Sequence, residues 1–155
     1  GARVTLASTE DGPIQGSRGA SVVPDCLLAD VDADEFDLVI LPGGLPGTTH
    51  LQNDKRVLDL VRTMNGARKI IGAICAAPTV LQTAGIIQNK MVTSHPSVKD
   101  KLNGVRYSED RVVVDGNIVT SRSPGTAMEF AMNLVEILFD GERVSVVNGG
   151  VMARL

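Results

Sequence analysis

The stretch KIIGAICAAPTVLQTAG, Lys69–Gly85, decides the fold. Lys69–Ile74 is apolar after its lysine and of strand length, which predicts a strand buried within a sheet. Ala76–Ala84 reads as a helix. Pro78 falls in its first turn, where a missing N–H is tolerated, and Gly85 ends it. Cys75 stands at the junction. A buried strand running straight into a helix is the repeating unit of a parallel sheet covered by helices.

Working outward, Asp37–Leu41 (DLVIL) is a second continuous apolar run, again predicting a strand buried on both faces and closed by Pro42-Gly43-Gly44. Between the two lies an amphipathic helix, Asp54–Asn65, with Val57, Leu60, Val61 and Met64 on one face, Asp54 as N-cap and Gly66 as stop. Past Gly85, Met91–Ser94 predicts a short strand leading to His95-Pro96, and a short polar helix follows near Val98–Leu102. Val112–Asp115 and Ile118–Ser121 flank Gly116-Asn117, a hairpin-type turn. Gly125–Phe139 predicts the last long helix, with Met128, Ala131, Met132, Val135, Leu138 and Phe139 as its apolar stripe.

Before Asp37 the signals are weaker. Arg3–Ser8 reads as a strand, and Ile14–Ser17 with Ala20–Pro24 as a hairpin turning at Arg18-Gly19. Asp30–Asp37 is an acidic loop with room for a short helix, and Asp140–Leu155 carries no strong pattern. The whole predicts an α/β fold, one domain over residues 1–155, with a mostly parallel central sheet and helices on both faces. Gly1-Ala2 reads as the end of a preceding helix and no Met starts the chain, so the expectation is a piece of a longer or clipped protein.

Composition narrows the function. With 155 residues, 43% hydrophobic and 21% charged, the chain has the mix of an ordinary globular domain. Its net charge of −3 disfavours a general attraction to nucleic acid or anionic membrane. No run of ~18 apolar residues predicts a membrane span. Two cysteines and two histidines make neither a disulfide framework nor a convincing zinc set, so no metal is expected and a reducing, cytoplasmic compartment is.

In a parallel α/β sheet, ligands collect at the carboxyl ends of strands. Cys75 sits at such an end with the small neighbours Ala73, Ala76 and Ala77 that a sharp nucleophile turn requires. The helix start beside it would favour a thiolate, and the Ala76 N–H would face a developing oxyanion. The competing reading is a buried cysteine serving as a small hydrophobe. Gly43 and Gly44 allow close backbone approach and offer N–H groups to an anion; the alternative is an ordinary turn. His95 fits a base or ion-pair partner for the thiol, or a loop histidine capping backbone groups. His50 reads as surface or structural, and Cys26 as a bystander thiol. Arg18, and Arg122 just before Pro124, read as pocket- or interface-shaping cations, or equally as surface salt bridges. The Lys99-Asp100-Lys101 run reads as a solvated face.

The words VILPGG (Val39–Gly44), AICAAP (Ala73–Pro78), VTSHPSVKDKLNG (Val92–Gly104), YSEDRVVVDGNIVTSR (Tyr107–Arg122) and PGTAMEFA (Pro124–Ala131) occur in order. In these the chain resembles the ThiJ/PfpI superfamily, most closely its parkinsonism-associated deglycase (DJ-one) branch, from Arg3 to about Phe139. The resemblance implies a flavodoxin-like α/β sandwich, a homodimer, and Cys75 as a reactive, oxidation-sensitive thiol. It implies N–H donors at Gly44 and Ala76 beside Gly43, His95 near the thiol, and Arg18 in an anion pocket near the dimer interface. Arg122 and Pro124 are read as structural. The activities it implies are glyoxalase action on methylglyoxal, protein deglycation, chaperone-like action and peroxide sensing, without metal or organic cofactor.

Two departures matter. Members of the superfamily begin with a further strand and helix carrying a glutamate that bonds the cysteine, and no residue here matches it. Glu10, in a loop, is no substitute. The expectation is that this segment is present as another chain or a bound clipped piece, because a central strand would otherwise leave two edges unpaired. Ala76, not histidine, follows Cys75, which argues against the superfamily's proteases. Neither His50 nor His95 has glutamate two residues on, which argues against glutamine amidotransferases.

The leading expectation is therefore a cysteine-dependent enzyme acting on small α-oxoaldehydes or their protein adducts. The alternatives are a non-catalytic redox sensor or chaperone-like protein built on the same thiol, and an inactive proteolytic remnant, with the 155-residue piece inactive by itself.

Overall fold

The computed structural model describes residues 1–16 and 18–153. In chain order its strands and helices are β1 (Ala7–Ser8), β2 (Ile14–Gln15), β3 (Ser21–Val22), β4 (Cys26–Leu27), β5 (Leu38–Leu41), α1 (Gly47–Asn53), α2 (Lys55–Gly66), β6 (Ile70–Ile74), α3 (Pro78–Ala84), β7 (Met91–Val92), β8 (Arg106–Tyr107), β9 (Val112–Asp115), β10 (Ile118–Ser121), α4 (Ala127–Leu138) and α5 (Gly141–Val151). Short 3-10 turns at Leu28–Asp30, Ala33–Glu35, Pro96–Lys101 and Pro124–Thr126 link them.

The principal sheet runs β5-β6-β10-β9. β5, β6 and β10 are parallel, and β9 returns antiparallel to β10 through the Gly116 turn. Pleating sends alternate residues to opposite faces. Ile71 and Ile118 therefore join one apolar cluster with Val61 and Met64 of α2 and Val80 and Leu81 of α3. Val119 joins another with Phe130 and Leu134 of α4, against Ile70 and Ile74. Phe130 comes so close that a Cβ on Gly72 would lie 2.9 Å from its ring, so glycine is needed there. Helices thus cover both faces, as the apolar strands demand.

The helix over Asp54–Asn65 forms nearly as the pattern predicts. Asp54 caps it by accepting the Arg56 N–H, and Val57, Val61 and Met64 are buried. The same Arg56 guanidinium beside Asp54 holds its carboxyl below the usual value.

Several expectations are corrected. Asp37–Leu41 is not buried on both faces: only Leu41 is buried, and Ile40 is 48% exposed, because among the described residues β5 has a partner on one side only. The Arg3–Ser8 strand shortens to Ala7–Ser8, since among the described residues a ladder forms only opposite β4, and Val4 lies open to solvent. β4, at Cys26–Leu27, has no counterpart among the predicted elements. The hairpin pairs Ile14 with Val22 and Gln15 with Ser21; the expected strand residue Ser17 lies outside the described residues. The stripe expected on α4 is displaced: Phe130, Met132 and Leu134 are buried, whereas Met128 and Phe139 are about half exposed. Residues 47–53, over which no element is predicted, form a helix, and Asp140–Leu155 holds α5, none of whose residues is buried; Arg154 and Leu155 lie outside the described residues. Among the described residues no helix is long and apolar enough to cross a membrane.

Candidate active site

Three neighbouring strands deliver the candidate residues to one end of the sheet. β5 runs into Pro42-Gly43-Gly44, β6 into Cys75 and β10 into Arg122. The register Leu41↔Ala73 and Ser121↔Ile74 brings these ends together, and the Cys75 N–H donates to the Ser121 carbonyl at 2.9 Å.

Cys75 has φ +65°, a left-handed conformation that L residues rarely hold. The turn closes behind it: the Ala77 N–H donates to the Ile74 carbonyl at 3.1 Å. Ala76 and Ala77 are buried and Cys75 is half-buried, so the elbow is packed from beneath. The helix starts at Pro78, two residues later than expected, because Cys75-Ala76-Ala77 are used in the turn. Among the described residues the Ala76 N–H has no hydrogen-bond partner, and neither has the Gly43 or the Gly44 N–H.

Gly43 lies directly against the elbow. A Cβ there would meet the Cys75 Cβ at 2.5 Å, the Ile74 carbonyl at 2.8 Å and the Ala76 nitrogen at 3.3 Å. Gly44, at φ +93°, has its carbonyl gripped by Thr48, through N–H at 2.8 Å and Oγ1 at 2.7 Å. Thr48 thereby fixes the glycine loop, a role invisible in sequence because Gly47-Thr48-Thr49 resembles a polar loop.

His95 is joined to the elbow through main chain: its N–H donates to the Cys75 carbonyl at 2.8 Å. Its ring turns to the following 3-10 turn, where Nδ1 accepts the Ser97 N–H at 3.2 Å. The capping alternative is therefore what the ring does.

The arginines stand apart from these groups. Arg18 is exposed in the turn between β2 and β3. Arg122 donates to the Glu109 main-chain carbonyl at 2.5 Å, where a carboxylate partner was expected; the Glu109 carboxylate instead pairs with Lys99. Pro124 opens the Pro124–Thr126 turn, in which Ser123 and Thr126 cap each other. His50 and Glu10 line an open depression of about 420 Å³ that neither Cys75 nor His95 borders. Among the described residues no three His, Cys, Asp or Glu side chains gather as a metal site.

A parallel sheet with helices on both faces and a left-handed cysteine at a strand end defines a flavodoxin-like α/β protein with a nucleophile elbow. The DJ-1/PfpI family matches residues 1–137, and the chain belongs to that family. It is 44% identical over 155 residues to Protein dj-1beta of Drosophila melanogaster, covering 98% of this chain and 83% of that protein. It is 41% identical to the glutathione-independent glyoxalase DJR-1.2 of Caenorhabditis elegans, covering 94% of this chain and 78% of that one. The solved structure of oxidized Toxoplasma gondii DJ-1 superposes with a TM-score of 0.92 at 33% identity, covering 97% of this chain and 83% of that one.

Proposed function

We propose that this protein is a cysteine-dependent glyoxalase- or deglycase-like stress protein acting on methylglyoxal-type aldehydes or their protein adducts. The observation that carries this reading is the half-buried Cys75 at φ +65°, beside main-chain N–H groups of Ala76 and Gly44 that have no partner among the described residues. The Cys75 thiolate adds to the aldehyde carbon, forming a C–S bond and an oxyanion that the two N–H groups stabilise. A proton then moves from that carbon to its carbonyl neighbour, converting the hemithioacetal to a thioester. Water cleaves the thioester, releasing a hydroxy acid such as lactate and the thiol. Atoms and electrons balance with substrate and water alone, so the cycle needs no metal or organic cofactor. The glyoxalase named among the relatives supports this chemistry.

The proton shift needs a base, and among the described residues no side-chain hydrogen bond joins Cys75 to His95 or to a carboxylate. β5 offers a place for one: its Leu38 and Ile40 main-chain groups point away from β6 and have no partner among the described residues. In our reading a further strand, from the same polypeptide or a separate one, pairs there and brings a carboxylate to the thiol. Two copies then associate as a homodimer, with Arg18 contributing to an anion pocket near the interface and Arg122 and Pro124 holding the β10–α4 junction. Free Cys26 and Cys75 suit a reducing, cytoplasmic compartment.

The test is methylglyoxal turnover by the full-length protein and its Cys75→Ala variant. Loss of turnover to background supports the mechanism; unchanged turnover overturns it.

The same donors favour a second output, oxidation of Cys75 by two equivalents of peroxide to a sulfinate, each releasing water. The oxidized state named for the Toxoplasma relative supports this reading. Intact mass after mild peroxide should show two added oxygens, lost in Cys75→Ala; their absence counts against a redox-sensing role.

A further inference from the structure

Tyr107, the single tyrosine of the chain, lies in β8 opposite Val92 of β7. Its hydroxyl donates to the Ser94 carbonyl at 3.1 Å and lies 3.3 Å from the Ser94 Oγ. Ser94 is fully buried, and its Oγ donates to the His95 carbonyl at 3.1 Å. Lys99, paired with Glu109 at 3.2 Å, sits 4.7 Å above the Tyr107 ring centre and ties the 3-10 turn to β8. The main chain at Ser94-His95 is thus clamped from Tyr107 on one side and from the Cys75 carbonyl on the other.

Ser97 fixes the ring. Its main-chain N–H donates to His95 Nδ1 at 3.2 Å, and its Oγ lies 2.7 Å from the same atom. An amide N–H can only donate, so Nδ1 holds a lone pair and the proton of the neutral ring is on Nε2. The free end of such a ring offers an N–H and no lone pair.

We infer that Tyr107 and Ser97 are positioning residues that present His95 to the Cys75 site with its proton on Nε2, so that His95 donates a hydrogen bond to a substrate oxygen rather than accepting a proton. An α-oxoaldehyde carries two oxygens on adjacent carbons. The Ala76 and Gly44 N–H groups take the one on the attacked carbon, and His95 takes its neighbour. This rests on the aldehyde chemistry proposed above.

In full-length protein labelled with 15N at histidine, long-range N–H correlation should place the His95 proton on Nε2; a proton on Nδ1 overturns the inference without reference to turnover. His95→Gln keeps a donor and should stay within about tenfold of wild type in kcat/KM for methylglyoxal, whereas His95→Phe should fall about a hundredfold. Equal losses in the two overturn the donor role. Tyr107→Phe keeps the ring and loses only the hydroxyl; kcat should fall about tenfold with KM little changed and Cys75 peroxide oxidation unaltered. An unchanged kcat removes Tyr107 from the assignment. Wild-type protein inert to methylglyoxal overturns the functional reading, and the donor role with it, while the label still reports the tautomer.

Discussion

Cys75 holds a backbone conformation that costs an L residue about 1–2 kcal/mol, and the packed alanines below it keep it there. Glycine at this position relieves that strain, partly offset by the greater freedom of its unfolded chain. Cys75→Gly should therefore be about 1 kcal/mol more stable than Cys75→Ala, about 2–4 °C in Tm. Equal melting temperatures would show that the left-handed turn is not strained. Thr93 makes the opposite case. Its Oγ1 is buried with no partner among the described residues, while its N–H bonds the Thr120 Oγ1 at 3.0 Å. Thr93→Val removes the lone hydroxyl at constant shape and should be neutral or stabilising by up to about 1 kcal/mol in chemical denaturation. A loss of more than that would mean the hydroxyl has a partner such as bound water.

At the scale of elements, one carboxylate joins three strands. Asp115, at the end of β9, accepts the Met91 N–H of β7 at 2.7 Å and pairs with Arg106 of β8 at 3.2 Å and Lys90 at 3.6 Å. The Met91 hydrogen bond, then the charges of Lys90 and Arg106, hold its carboxyl below the ordinary 3.8 against the opposing effect of burial. A depressed carboxyl stabilises the fold above its unfolded value and loses that contribution as pH falls through its folded one. Asp115→Asn should cost about 1–2 kcal/mol at neutral pH, and the difference from wild type should close only as pH drops below 3.8. A gap that persists at lower pH would assign the loss to packing. Sequence patterns found the elements whose burial is one-sided and regular, such as α2. They missed α1, because GTTHLQN has no apolar stripe and its helix is set by the Gly44 carbonyl and the α3 contact. They misplaced the face of α4, because Phe130 is selected by the gap over Gly72, a distant position.

For the whole molecule, the parallel sheet and the meeting of Gly43, Gly44 and Cys75 were legible, since each follows from a strand ending in small residues. The orientation of His95, the clamp from Tyr107 and the exposure of β5 were not. Each depends on contacts or their lack between segments far apart in sequence. Among the described residues β5 pairs only with β6 and β1 only with β4, and Ile40 of β5 is left half exposed. Hydrogen exchange should therefore find the Leu38 and Ile40 amides of the 155-residue chain fast and those of Val39 and Leu41 protected. Uniform protection would mean that something already covers the outer edge.

Those two edges, unpaired among the described residues, differ from each other, and each can also pair antiparallel with its own copy about a twofold. One molecule's β5 can dock beside another's β1, and each docking leaves a fresh pair of ends. Without an added strand, the expected behaviour is self-association through these edges, closing at dimers where like edges meet and continuing where unlike edges do, seen as light scattering that climbs with concentration and is blocked by a short peptide that occupies the β5 edge.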